Sequence, residues 1–145
     1  MKKSILFLSL VMLTFSCSTS KKAREAAQNK PLNETYWELK AIEGNKISEG
    51  NMTTPFIVLG KDGKYYGSLG CNRFFGEYFA KDKKISLKYA GSTKMMCPEM
   101  ETEDAFSKAF RKEFSQYVIK KDTLILYENN KEILRFLAGQ APAEN

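Results

Sequence analysis

Histidine is absent from the 145-residue chain, tryptophan occurs once, proline four times and cysteine three times. Without histidine no serine–histidine–acid triad can be assembled, and a cysteine nucleophile lacks its usual base. A zinc site would have to use Cys71, Cys97 and carboxylates alone, a poor ligand set, so no metal and no cofactor is expected. Neither GxxxxGK[ST] nor GxGxxG occurs, which removes the common phosphate-binding loops. Aspartate and glutamate are plentiful, but most fall in turns or at the start of a helical segment, where they have structural reasons to be. No catalytic residue is assigned. An envelope hydrolase working through surface carboxylates is the alternative, and an open cleft where such carboxylates converge would favour it.

A long apolar run is also missing. The longest stretch, Ile5 to Phe15, follows Lys2 and Lys3 and is too short to span a bilayer. Its layout is that of a secretory signal over residues 1–16. The stretch ends in Phe15-Ser16-Cys17, which resembles a bacterial lipobox and marks Cys17 as the lipidation site. Thr14 stands where that pattern usually has leucine, and the plainer reading is an ordinary signal peptide cut near Ser16. Residues 17–33 hold a single large apolar side chain, Leu32, and cannot bury enough surface to offset ordering entropy. They read as a flexible basic tether between lipidated cysteine and domain. The expected location is the bacterial cell envelope, lipid-anchored, most simply at the outer membrane facing the periplasm.

Charge of one sign is scarce where it would matter for nucleic acid. The whole chain is +6, yet residues 34–145 carry 17 positive and 16 negative charges. The basic character sits in the leader and tether, which suits anionic headgroups. The near-neutral remainder argues against a nucleic-acid partner.

What is present is alternation. Trp37, Leu39 and Ala41 alternate with Glu38 and Lys40, and Ile85, Leu87 and Tyr89 with Ser86 and Lys88. Further strands are expected at 56–59, 64–69, 74–80, 116–120, 123–128 and 132–137. Turn signals separate them at Gly60 to Gly63, Lys81 to Lys83, Lys121-Asp122 and Asn129-Asn130. One segment changes period. From Glu99 to Phe114, Phe106, Ala109, Phe110 and Phe114 form one helical stripe, with Pro98 suited to the first turn and acidic residues near the N-terminal end. The fold class is therefore mainly β: a small antiparallel barrel or sandwich with one helix at about residues 99–114. The domain is expected over 34–140, with a disordered tail at 141–145.

Trp37-Glu-Leu39 with Ile42, Gly67-Ser-Leu-Gly-Cys-Asn-Arg-Phe-Phe-Gly-Glu-Tyr78 and Ser92-Thr93-Lys-Met-Met-Cys97 stand in order along the chain. Phe106, Leu124 to Tyr127 and Leu134-Arg-Phe136 complete a pattern that resembles the META/HslJ-like family. The resemblance implies a lipocalin-like β-barrel with a helix, and envelope proteins, some linked to heat stress or secretion. It implies no particular reaction.

Within that frame Gly70, Cys71, Asn72, Gly76 and Thr93 read as a structural motif rather than a catalytic one. Gly67, Gly70 and Gly76 suit positions where a strand bends, bulges or meets another backbone, and Asn72 can hydrogen-bond a neighbouring strand end. Activation of Cys71 by lysine or arginine would be the catalytic alternative. An oxidising compartment and the lipidation of Cys17 leave two thiols, so a Cys71–Cys97 disulfide is expected, against two buried free thiols. Asp122-Thr123-Leu124 matches a bacterial O-glycosylation pattern, with Thr123 as acceptor; a plain hairpin turn is the competing reading. Tyr65-Tyr66 and Phe74-Phe75 each place one ring on either face of a strand. The expectation is that the helix and long loops cover both faces; uncovered, the outer rings would be a partner site. The partners expected are a membrane through the anchor and an unidentified envelope protein or small ligand.

Overall fold

The computed structural model describes residues 29–47 and 53–142. Cys17 and the leader lie outside them. Among the described residues nine strands form: β1 (Trp37–Ile42), β2 (Asn45–Lys46), β3 (Phe56–Leu59), β4 (Lys64–Ser68), β5 (Arg73–Lys81), β6 (Lys84–Ser92), β7 (Gln116–Lys120), β8 (Thr123–Glu128) and β9 (Lys131–Ala138). One helix, α1 (Glu101–Phe110), lies between β6 and β7.

Every pairing is antiparallel, in the order β2-β1-β3-β4-β5-β6-β7-β8-β9. A further pairing of β1 with β9, Trp37 opposite Ala138 through Ile42 opposite Leu134, closes the sheet into a ring, with β2 outside it. Closure leaves few free edges. The joint between β6 and β7 is the narrowest, a single register pair, Lys84 with Gln116.

Short connections set the strand registers. Glu43-Gly44, Asp82-Lys83 and Asn129-Asn130 each place two successive residues at positive φ, the backbone hand that matches the twist of the flanking strands. The sequence marks all three except the first, and β2, only two residues long, carries no periodic signal.

The ring is filled from within. Trp37, Leu39, Ile57, Leu59, Tyr65 and Phe74 line one side, and Leu124, Leu126, Leu134 and Phe136 the other, all nearly inaccessible. Such a small ring has room only for its own side chains. The helix supplies the plug. Phe110 packs edge-on against Phe74 and Tyr65 at 4.9 and 5.3 Å between ring centres, and Phe106 bridges Phe74 and Phe136. Edge-to-face rings of this kind add about 0.5–1.5 kcal/mol per pair beyond burial.

Two expectations change. The helix covers ten residues rather than the span 99–114. Pro98 precedes it without entering its first turn, because Cys97 is tied to Cys71 and holds the chain in a non-helical path there. After Phe110 the ladder ends, and Phe114 reaches the core from the segment beyond. The fold also begins before Glu34. The Lys30 N–H donates to Lys121 O at 2.7 Å, and the Trp37 indole donates to Leu32 O at 2.9 Å, with Leu32 packed on the core.

Candidate functional site

The segment joining β4 to β5 is too short for an open loop, and Gly70 turns it with φ at +128°, a conformation other residues rarely adopt. Thr53 Oγ1 donates to Gly70 O, and the Gly70 N–H donates to Ser68 Oγ. Cys71 and Asn72 follow with their backbone N–H groups aimed at one carboxylate, that of Glu103, at 2.9 and 2.8 Å. The Asn72 side chain donates to Glu103 Oε1 at 2.6 Å and to Met95 O at 3.0 Å. Its Oδ1 accepts from Thr93 Oγ1 and from the Met95 N–H. Thr93 Oγ1 in turn accepts from the Arg73 N–H. Asn72 thus stands in for ladder bonds where β6 ends, as its sequence position suggests.

The disulfide Cys71–Cys97 is formed, with 6.3 Å between α-carbons. It staples the corner to the chain entering the helix. Gly76 sits at a β-bulge beside Phe75, and a Cβ there would lie 2.2 Å from Lys88 O and 2.4 Å from the Tyr65 hydroxyl. Gly67 is closed in the same way by Phe56 O and the Phe74 ring. Gly70, Cys71, Asn72 and Thr93 therefore meet in one place, with Gly76 further along β5. Glu103 is the residue sequence reading missed. Its position in the first helical turn suggests only a dipole role, yet it is 6 % exposed and gathers three donors. Both carboxylate oxygens are thus engaged in holding the corner.

Facing outward, the same strands are different. Tyr66, Phe75 and Phe79 are 57 %, 56 % and 68 % exposed. The expectation that the helix and loops would cover both faces does not hold. The helix lies on the inner side, against Tyr65 and Phe74, so the outer partners of those rings stay open. Register places Val58, Tyr66, Phe75 and Gly91 in one row across β3 to β6, and the Phe75 ring lies over Gly91. Tyr36 stacks on Phe56 at 4.3 Å beside this row. Its phenol is held above the ordinary tyrosine pKa, first by partial burial and then by Glu38 and Tyr66.

A cleft of about 570 Å³ opens elsewhere, between α1 and the β1–β2 hairpin, with Glu43 and Glu101 among its lining residues and Lys46, Lys108 and Lys112 beside them. Lys112 donates to Glu43, and Lys131 lies 3.6 Å from its other oxygen. The hydrogen bond from Lys112, its charge and that of Lys131 lower the Glu43 pKa. A general acid needs the opposite shift. Among the described residues, no group of three or more cysteine, aspartate or glutamate side chains could hold a metal ion. No described helix is long and apolar enough to cross a membrane. Thr123 is half-buried at the start of β8, its hydroxyl 3.4 Å from Asp122 Oδ1.

The META domain model matches residues 30–141, and the chain belongs to that family. The match starts where Lys30 is bound to Lys121, in keeping with the early start of the fold. A protein solved by NMR is similar at 21 % identity and a TM-score of 0.56, over 72 % of this chain and 90 % of that one. A second NMR structure, of a protein from Burkholderia xenovorans, is 22 % identical with a TM-score of 0.53, over 97 % of this chain and 100 % of that one. These likenesses concern the fold. No curated protein matches the chain significantly.

Proposed function

We propose that this META-domain protein is a non-enzymatic, lipid-anchored module of the bacterial cell envelope that serves envelope maintenance or stress tolerance by binding. The observation that carries this reading is the open row of Tyr66 and Phe75 on a sheet whose inner face is already filled. Rings exposed to this degree on adjacent strands gain by being covered. The carboxylates offer less for catalysis. Glu43 and Glu101 do share a cleft, the feature that would favour a hydrolase, but Glu43 is held by lysines in its ionised form. The anchor at Cys17 and a periplasm-facing position at the outer membrane complete the proposal. They rest on the leader and on the cysteine that follows it.

A deletion strain complemented in trans separates binding from turnover. The unaltered chain restores survival under heat or envelope stress, and a Tyr66→Ser/Phe75→Ser double variant, folded and at equal abundance, does not. Full rescue by that variant, together with loss of rescue by Glu43→Gln/Glu101→Gln, would replace the binding reading with the enzymatic one.

A further inference from the structure

The outer face of β4, β5 and β6 is basic as well as aromatic, in a domain that is almost neutral. Alternation turns Lys64, Arg73, Lys81, Lys84 and Lys88 outward, with Glu77 as the one outward acidic residue on these strands. Register groups them: Lys64 and Lys88 flank Glu77 on neighbouring strands, and Lys81 faces Lys84 at the hairpin end. Like charges opposite one another weaken a sheet, so the Lys81–Lys84 pair has no evident stabilising role. None of the five cations lies within ion-pair distance of a carboxylate among the described residues, whereas Lys40, Lys61, Lys112, Lys131 and Arg135 all do. The adjoining turns do not offset the excess, because Lys61 and Asp62 balance, as do Asp82 and Lys83.

Between these cations stand Tyr66, Phe75 and Phe79, more than half exposed. Aromatic rings surrounded by long basic side chains are the composition of an interfacial membrane contact. The rings enter the headgroup boundary while the lysine stems lie along it and keep their ammonium groups at the phosphates. Charge complementarity therefore selects an anionic bilayer as the occupant of this face.

We infer that the β4–β6 face docks on the surface of an anionic lipid bilayer, laying the domain against the membrane that holds its tether. The inference rests on the proposed binding role of the same face and names its partner. Chain length permits the contact. Eleven residues lie between Cys17 and Asn29, where the described chain begins, and the twelve steps they make reach at most about 40 Å. A basic face adds to a lipid anchor the second contact that makes membrane attachment durable.

The test uses full chain purified from the envelope and carrying Phe79→Trp, mixed with vesicles of brominated phosphatidylcholine alone or with phosphatidylglycerol added. The native Trp37 is fully buried and supplies a constant background. Docking predicts a blue shift and quenching of the introduced indole with the anionic vesicles only, and loss of both in high salt. Each lysine neutralised, at Lys64, Lys84 or Lys88, should weaken the partition by roughly fivefold. Protein that floats with the vesicles while this indole stays unquenched overturns the inference and shows a face turned to the aqueous side. In that event, binding of an anionic polysaccharide or an envelope protein through Phe75 keeps the binding role and replaces the partner. Equal emission in both vesicle types and in buffer overturns the inference as well.

Discussion

Asn72 and Glu103, 31 residues apart in sequence, are joined by a 2.6 Å hydrogen bond from the asparagine amide to the buried carboxylate. The same carboxylate accepts the backbone N–H groups of Cys71 and Asn72. Removing it strands three donors, at roughly 1–3 kcal/mol for each that stays buried. Glu103→Leu should therefore lower unfolding free energy by about 3 kcal/mol or more in equilibrium urea unfolding. Glu101→Gln, one residue pair earlier in the same helical turn and exposed, should stay within about 0.5 kcal/mol. Equal losses at both positions would reduce Glu103 to a helix-dipole residue.

Gly76 has no space for a side chain, with backbone of β6 and the Tyr65 hydroxyl both closer than any Cβ tolerates. Gly76→Ala should destabilise by about 1–3 kcal/mol through forced strand displacement. Gly44→Ala meets no atom and strains only its positive φ, so it should cost about 1 kcal/mol. Thermal melting of the two variants side by side ranks them.

The corner shows how much of this structure the sequence makes legible. Period-two alternation locates the longer strands, because each has one face against a filled interior, and the phenylalanine stripe locates the helix for the same reason. Asn72 beside Gly70 signals a corner, but nothing near Glu103 signals its partner, because the contact is made only once the helix is docked. The open faces of Tyr66 and Phe75 are hidden for a related reason. Alternation says that one ring of each pair points out, but whether it is covered depends on which side of the sheet the helix takes. Leu32 is too isolated for a pattern to reveal that it packs on the core and that its carbonyl accepts the Trp37 indole.

Cys71 and Cys97 are 26 residues apart, and closing a loop of that size stabilises the folded state by about 3 kcal/mol on the chain-entropy account. Reduction before urea unfolding should lower the midpoint accordingly. The Cys71→Ser/Cys97→Ser variant should match the reduced protein and remain insensitive to reductant. An unchanged midpoint would mean that packing and the Asn72 bonds hold the corner alone.

The Glu43–Lys112 contact gives stability a pH signature. Glu43 titrates below its ordinary value of 4.5, first through the Lys112 hydrogen bond, so the folded state favours the ionised form. The contribution is present above the unfolded value, near pH 4.5, and is lost as pH falls through the lowered folded one. Glu43→Gln should remove this part of the acid dependence and leave the neutral-pH fold intact. Unfolding midpoints measured from pH 6 down to pH 2 check it, and an unchanged acid limb would deny the contact its role.

The central claim is that the protein acts at the envelope through the outer face of β4 to β6. A photo-crosslinking residue placed at Phe75 in living cells tests this most directly, with a second placed at the exposed Leu137 on β9, across the ring from β5. The account predicts a defined adduct, to lipid or to protein, from position 75 and none from position 137, in chain recovered with the membrane. No adduct at 75, or the same adducts from both positions, would contradict it.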